Sequence, residues 1–362
     1  MVKKTLFLLF AAAVTTSGFA QRYTLSGVAP KGIKNVYMSP LGEEAVDSTT
    51  ADSKGKFTFK GDAKGKHLAY VFTKGENGSR VAVFLEGDIV VNLQEQTVVG
   101  NDENRGLNDF QMFTNATTKP LKELVAKLTA KHESGQELDE NDLEAYYTLA
   151  DSLSGIVDEH SKQVLKNAAG MRWPAFVVFT GANSPDADRD FLISLDTPDN
   201  VFMAEPCLER TKKLIAAYRR TQIGQKFADF EMADTAGVMH KLSEYVGRGN
   251  YVLIDFWATW CGPCMRELPN VKALYDKYHA KGFDIVGISF DQDAASWRAV
   301  IQRKQMNWTH LSDLGGWKSM PVEFYGVRAI PYTMLIAPDG TILDTNLTGE
   351  KLAEKLAEIF ER

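Results

Sequence analysis

The sequence predicts a C-terminal α/β domain built on a sheet covered by helices on both faces, preceded by a small antiparallel β-sandwich and a helical connecting region. Three observations predict it. Between residue 22 and about residue 100, six short runs rich in Val, Phe, Tyr and Thr recur at regular spacing, with turn formers between them. From about residue 105 the composition shifts to long stretches of helix formers with apolar residues three and four apart. From Ile223 onward, near-continuous apolar strands alternate with helical segments, as a sheet buried on both faces requires.

The bulk composition allows this. The chain has 362 residues, of which 44% are hydrophobic and 24% charged, enough for two or three domains. A net charge of −6 gives no basic surface for nucleic acid, and no nucleic-acid partner is expected. Oligomeric state is not legible.

The elements follow in order. "MVKK" gives a positive start, "TLFLLFAAAV" an apolar core and "SGFA" a small-residue ending, which together read as a secretory signal peptide over residues 1–20. The apolar run falls short of the roughly 20 residues that span a bilayer. No cysteine follows the expected cleavage point, so the mature protein is expected to be periplasmic, soluble or peripheral, and not a lipoprotein. Residues 21–105 form the expected β-sandwich, in "YTLSGVA", "NVYMSP", "GKFTFKGDA", "HLAYVFTK", "SRVAVFLE" and "DIVVNLQ". Phe57 and Phe59 alternate with polar neighbours, as in a half-buried strand. Residues 106–222 form the helical connecting region. There "DEND" ahead of Leu143 supplies carboxylates for a helix start, and "CLERTKKLIAAYRRT" is a further helical stretch. The intervening "RWPAFVVFTGANSPDADRD" is ambiguous. Residues 223–362 form the α/β domain: a strand in "NYVLIDFWA", a helix to about Ala280, a strand in "GFDIVGISFD", a helix in "AASWRAVIQRKQ", two strands about a Pro-Asp-Gly turn in "YTMLIAPDGTILDTN", and a last helix with Leu352, Leu356, Ile359 and Phe360 on one face.

The chemistry concentrates in "DFWATWCGPCMRELP". It holds two of the chain's three cysteines, Cys261 and Cys264. Structural zinc needs four Cys or His ligands, yet the only other cysteine is Cys207 and the six histidines are scattered, so no metal site is expected. Three cysteines in a long exported chain also do not suit a disulfide-stapled fold. A redox pair suits both. The strand ends just before Cys261 and a helix begins with it, so free backbone N–H groups and the helix dipole favour a thiolate there. Such placement lowers a cysteine pKa from about 8.5 into the range of roughly 3.5 to 7.5. Cys264 lies one turn on, on the same face, placed to attack a mixed disulfide formed at Cys261. Cys261 is then the nucleophile and Cys264 the resolving thiol.

"DFWATWCGPC" with Pro269, and "YGVRAIPYTMLIAPDG", resemble the active-site and proline segments of thioredoxin. The resemblance covers about residues 223 to 362 and implies a thioredoxin fold. It implies that Pro331 is a cis-proline facing the motif, and that the Ile330 backbone pairs with an extended substrate segment. With Trp260, Gly262 and Pro263, these residues make the implied substrate-binding surface; simple packing is the other reading of Trp260. Asp255 matches the buried acid beneath the motif and would accept a proton from Cys264, although a solvated strand-end Asp is the alternative. Thioredoxin keeps a lysine near that acid, and "FDIVGISFD" has none. The long link from Gln292 to Phe324, and Glu267 three residues after Cys264, are similar to the TlpA/ResA group. Glu267 would tune the thiols or merely sit exposed on its helix. The whole layout looks like exported Bacteroidetes proteins that join a small β domain to a TlpA-like domain.

The resemblance implies a thiol–disulfide oxidoreductase that reduces disulfides of exported protein clients, fed by a membrane thiol-transfer donor. No cofactor beyond the Cys261–Cys264 disulfide is implied. Two alternatives stand beside it. One is a thiol peroxidase, disfavoured because Ile254 and Ala258 occupy the Pro and Thr offsets of the peroxiredoxin pattern. The other is a client-specific redox docking protein, with cytochrome c maturation as a family possibility. Cys207 reads as an inert buried thiol, or as a third redox or intermolecular partner.

Overall fold

The computed structural model describes residues 22–75, 78–182 and 187–361, so the leader read at 1–20 lies outside the described residues. Eight strands come first: β1 (Arg22–Val28), β2 (Asn35–Pro40), β3 (Asp47–Thr50), β4 (Lys56–Asp62), β5 (Leu68–Phe72), β6 (Arg80–Phe84), β7 (Gly87–Asn92) and β8 (Thr97–Val99). They form two four-stranded sheets, ordered β4-β1-β7-β8 and β3-β2-β5-β6. Alternation explains their facing: Leu25, Phe57, Phe59, Val71, Val83 and Ile89 point into one shared core. The six runs read from the sequence are all strands. β3 and β8 are additional, and β1 pairs with β7 in parallel within otherwise antiparallel sheets.

Helix α1 (Asp102–Glu133) starts at Asn101, whose side chain accepts from the Asn104 N–H. It also covers the free edge of β6. The Asn104 amide donates to Phe84 O and accepts from Phe84 N, and Gln111 does the same at Ala82. Two side-chain amides thus occupy backbone groups that an edge strand would otherwise present for association. Helix α2 (Glu140–Asn167) begins with a reciprocal capping box between Asp139 and Asp142, within the "DEND" segment. Then come α3 (Ala175–Gly181), α4 (Arg189–Leu195) and α5 (Glu209–Arg220), which resolve the ambiguous segment as helical on either side of residues 183–186.

The chain divides into two compact units. One runs up to Val177 and includes Ala204–Cys207; the other comprises Val178–Met203 and Leu208–Arg362. The helical region therefore belongs partly to each.

In the second unit a small hairpin, β9 (Glu231–Ala233) and β10 (Met239–Lys241), precedes the main frame. The frame is β11 (Tyr251–Trp257), α6 (Gly262–Tyr278), β12 (Phe283–Ser289), α7 (Ala294–Lys304), β13 (Thr309–Leu311), α8 (Met320–Phe324), β14 (Tyr332–Ile336), β15 (Ile342–Thr345) and α9 (Gly349–Phe360). Its five strands are ordered β13-β12-β11-β14-β15. β11, β12 and β13 run parallel, while β14 is antiparallel to β11 and β15 to β14. β11 takes the centre because Val252 to Trp257 are all buried. α9 turns Leu352 and Leu356 into the core, with Ile359 and Phe360 partly buried beside them. This is a thioredoxin fold. Gly287 on β12 leaves room for two large neighbours, since a Cβ there would lie 2.6 Å from His310 Nδ1 and 3.0 Å from Trp257 Nε1.

Candidate functional site

β11 delivers its last residues to a tight turn, Ala258–Thr259–Trp260, and α6 begins immediately after. Cys261 is the N-cap of α6, and its sulfur accepts the Cys264 backbone N–H at 3.1 Å. A free N–H of the first turn therefore points at sulfur, which favours negative charge on it. Pro263 occupies the first turn, where its missing N–H costs nothing. The two cysteines are joined as a disulfide, with Cα atoms 5.3 Å apart. Pro269 lies inside the helix, two turns on.

The turn is pinned from β12. Asp291, only 2% exposed, accepts the Thr259 N–H at 3.1 Å and its hydroxyl, and also the Ser289 hydroxyl at 2.7 Å. Sequence reasoning gave Asp291 no role. Its only signal was an acid closing the buried strand "DIVGISFD".

The Ile330–Pro331 peptide is cis. Ile330 O lies 3.6 Å from Cys261 Sγ; the disulfide sulfur carries no proton, so this is a contact and not a hydrogen bond. Structure thus brings Ile330 against Cys261 and Pro331 to the cavity beside Cys264, although both follow the motif by most of the domain. Both cysteines are covered, at 4% and 6% exposure, but their surroundings differ. Cys261 is flanked by exposed Trp260, Gly262 and Pro263. Cys264 faces inward onto a small cavity lined also by Asp255, Trp257, Glu267, Pro331 and Thr333.

Asp255 belongs to that cavity and not to the solvent. Its neighbours across the sheet, Gly287 and Thr333, are uncharged. Burial raises its pKa from 3.8 to about 7, with a further push from the Glu267 carboxylate. The residues lining that cavity include no lysine, and the other ionisable side chain among them is Glu267. Glu267 is half-buried and engaged: its Oε1 accepts the Gly349 N–H that opens α9 and the Asn270 side-chain N–H, each at 2.8 Å. It joins the redox helix to the last helix while facing the same cavity as Cys264.

Trp260 is 54% exposed, beside Trp317, which is 44% exposed, with ring centroids 6.2 Å apart. Trp317 in turn rests on Phe290 at 5.4 Å. It comes from the long link after β12, and no pattern in the sequence marked it. Cys207 is free and half-buried, and burial pushes its thiol up to about 12, with Glu205 adding to the shift. Among the described residues no group of three or more His, Cys, Asp or Glu is placed to hold a metal ion.

Comparison with known proteins divides the chain at similar places. The AhpC/TSA family model matches residues 223–345, and a model described as a domain of unknown function (DUF4369) matches residues 23–107. The thiol–disulfide oxidoreductase ResA of Bacillus anthracis is 30% identical over 137 residues, covering 38% of this chain and 76% of that protein. ResA of Geobacillus kaustophilus is 30% identical over 139 residues, covering 38% and 76%. Among solved structures, a thiol–disulfide oxidoreductase from Bacteroides fragilis is 30% identical with a TM-score of 0.35, covering 37% of this chain and 99% of that one.

Proposed function

Because the chain belongs to the ResA-like family of thiol–disulfide oxidoreductases, we propose that it reduces disulfides of exported protein clients through Cys261 and Cys264. The Cys261 thiolate attacks a client disulfide, forming a mixed disulfide and releasing one client thiolate. The Cys264 thiol loses its proton to Asp255 and attacks Cys261 Sγ. The Cys261–Cys264 bond forms, the second client thiolate leaves, and two electrons have moved to the client. Trp260, Gly262, Pro263, Ile330 and Pro331 form the surface on which the client lies, its extended backbone pairing at Ile330.

The observation that carries this reading is the unequal setting of the two sulfurs. One is held by a helix-start N–H among exposed neighbours, and the other faces a buried acid. The Gly-Pro spacer supports the reducing direction. The leader read at 1–20 supports export to the periplasm, where re-reduction requires a membrane thiol-transfer donor. The peroxidase alternative is disfavoured, because the buried apolar residues Ile254 and Ala258 stand at the Pro and Thr offsets of the peroxiredoxin pattern.

The test is reduction of insulin with dithiothreitol as electron source. The wild type should be active and Cys261→Ser inactive, while Cys264→Ala should accumulate mixed disulfides with exported proteins. A wild type inactive under these conditions sinks the proposal. A reduction potential nearer about −120 mV than about −270 mV would reverse the direction.

A further inference from the structure

Residues 178–222 precede the redox frame, and neither the motif nor the family matches give them a part in the chemistry. All of them except Ala204–Cys207 nevertheless belong to the same compact unit as the sheet. Three contacts from α4, α5 and the residue after them follow the chain that leads into the cis-proline. Arg220 donates to Phe324 O at 3.1 Å and lies over the Phe324 ring at 5.0 Å. Tyr218 lies against Gly326, which has a φ of +69°; a Cβ there would meet Tyr218 Cε1 at 2.8 Å. The third contact reaches furthest. Arg189 donates to the Tyr332 hydroxyl and to Thr221 Oγ1, and its guanidinium stacks 4.5 Å from the Tyr218 ring centroid.

Tyr332 is bonded directly to Pro331 and opens β14, with its ring 5.8 Å from that of Phe256 on the central strand. A guanidinium that donates from Nη1 to Tyr332 and from Nη2 to Thr221, with its plane against the Tyr218 ring, is held in orientation by three separate partners. Thr221 is 1% exposed and donates its own hydroxyl to Ala217 O at 2.9 Å, so the anchor is rigid.

We infer that Arg189 is a positioning residue for disulfide exchange, holding Tyr332 from the helical segment and thereby fixing the Ile330–Pro331 edge for the client backbone. It touches neither sulfur. The inference rests on the proposed roles of Cys261, Cys264 and Ile330. Backbone pairing needs the edge in one register, whereas attack on a small disulfide needs only the sulfur. Losing Arg189 should therefore separate the two kinds of substrate.

The experiment uses the full chain as wild type, Arg189→Met, Tyr332→Phe and the double variant, with dithiothreitol as electron source for turnover on the peptide; for the small disulfide each protein is reduced beforehand and freed of dithiothreitol, which cleaves that compound by itself. Each is assayed on a disulfide-linked extended peptide and on the small aromatic disulfide 5,5′-dithiobis(2-nitrobenzoate), beside a thermal melt. Removing a hydrogen bond from a charged donor should raise KM for the peptide about tenfold, with kcat and the small-disulfide rate within about twofold of wild type. Tyr332→Phe, which deletes one oxygen, should reproduce the shift, and the double variant should add nothing. Equal losses on both substrates tracking a lowered Tm, or no change in peptide KM in either single variant, overturn the inference. A wild type that reduces neither compound overturns the redox assignment beneath it and this inference together.

Discussion

Asp255→Asn tests the buried acid directly. An aspartate that ionises near 7 in the folded chain and near 3.8 when unfolded binds its proton more tightly in the folded state. Below about pH 3 both states hold the proton and the group contributes no pH dependence. As pH rises toward 7 only the unfolded state has released it, so stability falls with pH; above about 7 the penalty is complete. The gap of about three pH units, at about 1.4 kcal/mol each, amounts to about 4 kcal/mol. Asparagine keeps the shape and cannot ionise. The variant should match wild type at about pH 3, gain roughly 1.5 kcal/mol at pH 5 and gain about 4 kcal/mol at pH 8. Urea unfolding of the oxidised protein, followed by tryptophan fluorescence, reads this out in the right unit, because Trp257, Trp260, Trp297, Trp308 and Trp317 all lie there. A stability difference equal at pH 5 and pH 8 would refute the argument. In single-turnover reduction, release of the second client thiol should accelerate through pH about 7 in wild type and lose that step in Asp255→Asn.

Three further outcomes follow from packing and charge. Asp291→Ala leaves the Thr259 N–H and hydroxyl without their buried acceptor and should cost about 2 kcal/mol in denaturant unfolding. Gly287→Ala places a methyl 2.6 Å from His310 in the buried sheet and should cost about 1–3 kcal/mol, read as a lower Tm. Cys207, raised from 9.0 to about 12, should hold about a thousandfold less thiolate at pH 8 than an unshifted thiol. In native reduced protein it should resist iodoacetamide while Cys261 is labelled; rapid labelling of Cys207 would contradict its raised pKa.

The redox centre was legible because its chemistry is local. Cys261, Gly262, Pro263 and Cys264 share one turn, and the boundary between an apolar strand and a helix is visible in "DFWATWCGPC". The direction of the Asp255 shift was legible too, because an acid inside "YVLIDFWA" has apolar neighbours whichever face it takes. What could not be read depended on distant pairings. Asp291 matters because β12 ends beside the Thr259 turn, Trp317 because the long link folds back over Phe290, and Arg189 because α4 returns to Tyr332. In the β domain, β3 is "DSTT" with no buried residue, so no hydrophobic period announced it. The parallel pairing of β1 with β7 joins segments far apart in sequence, which no local pattern encodes. Composition marked the helical region as one block, yet it divides between the two units, because helix propensity does not say which core a helix joins.

In the proposed mechanism the local geometry of the pair also separates the duties of its members. On reduction, negative charge at Cys261 would meet the Cys264 N–H and the positive end of α6. Negative charge at Cys264 would instead face a cavity holding the carboxyls of Asp255 and Glu267. The first setting favours a thiolate and the second a thiol, so the proton on the resident dithiol belongs on Cys264. A dithiol polarised this way attacks from the sulfur with exposed neighbours and keeps the other in reserve until a mixed disulfide forms. In the proposed mechanism the reserve sulfur then needs a base beside it, and Asp255, ionising near 7, would be half-ready at neutral pH. An ordinary carboxylate would be too weak a base. A lysine-paired one would be held charged at lower pH, and β12 carries no lysine.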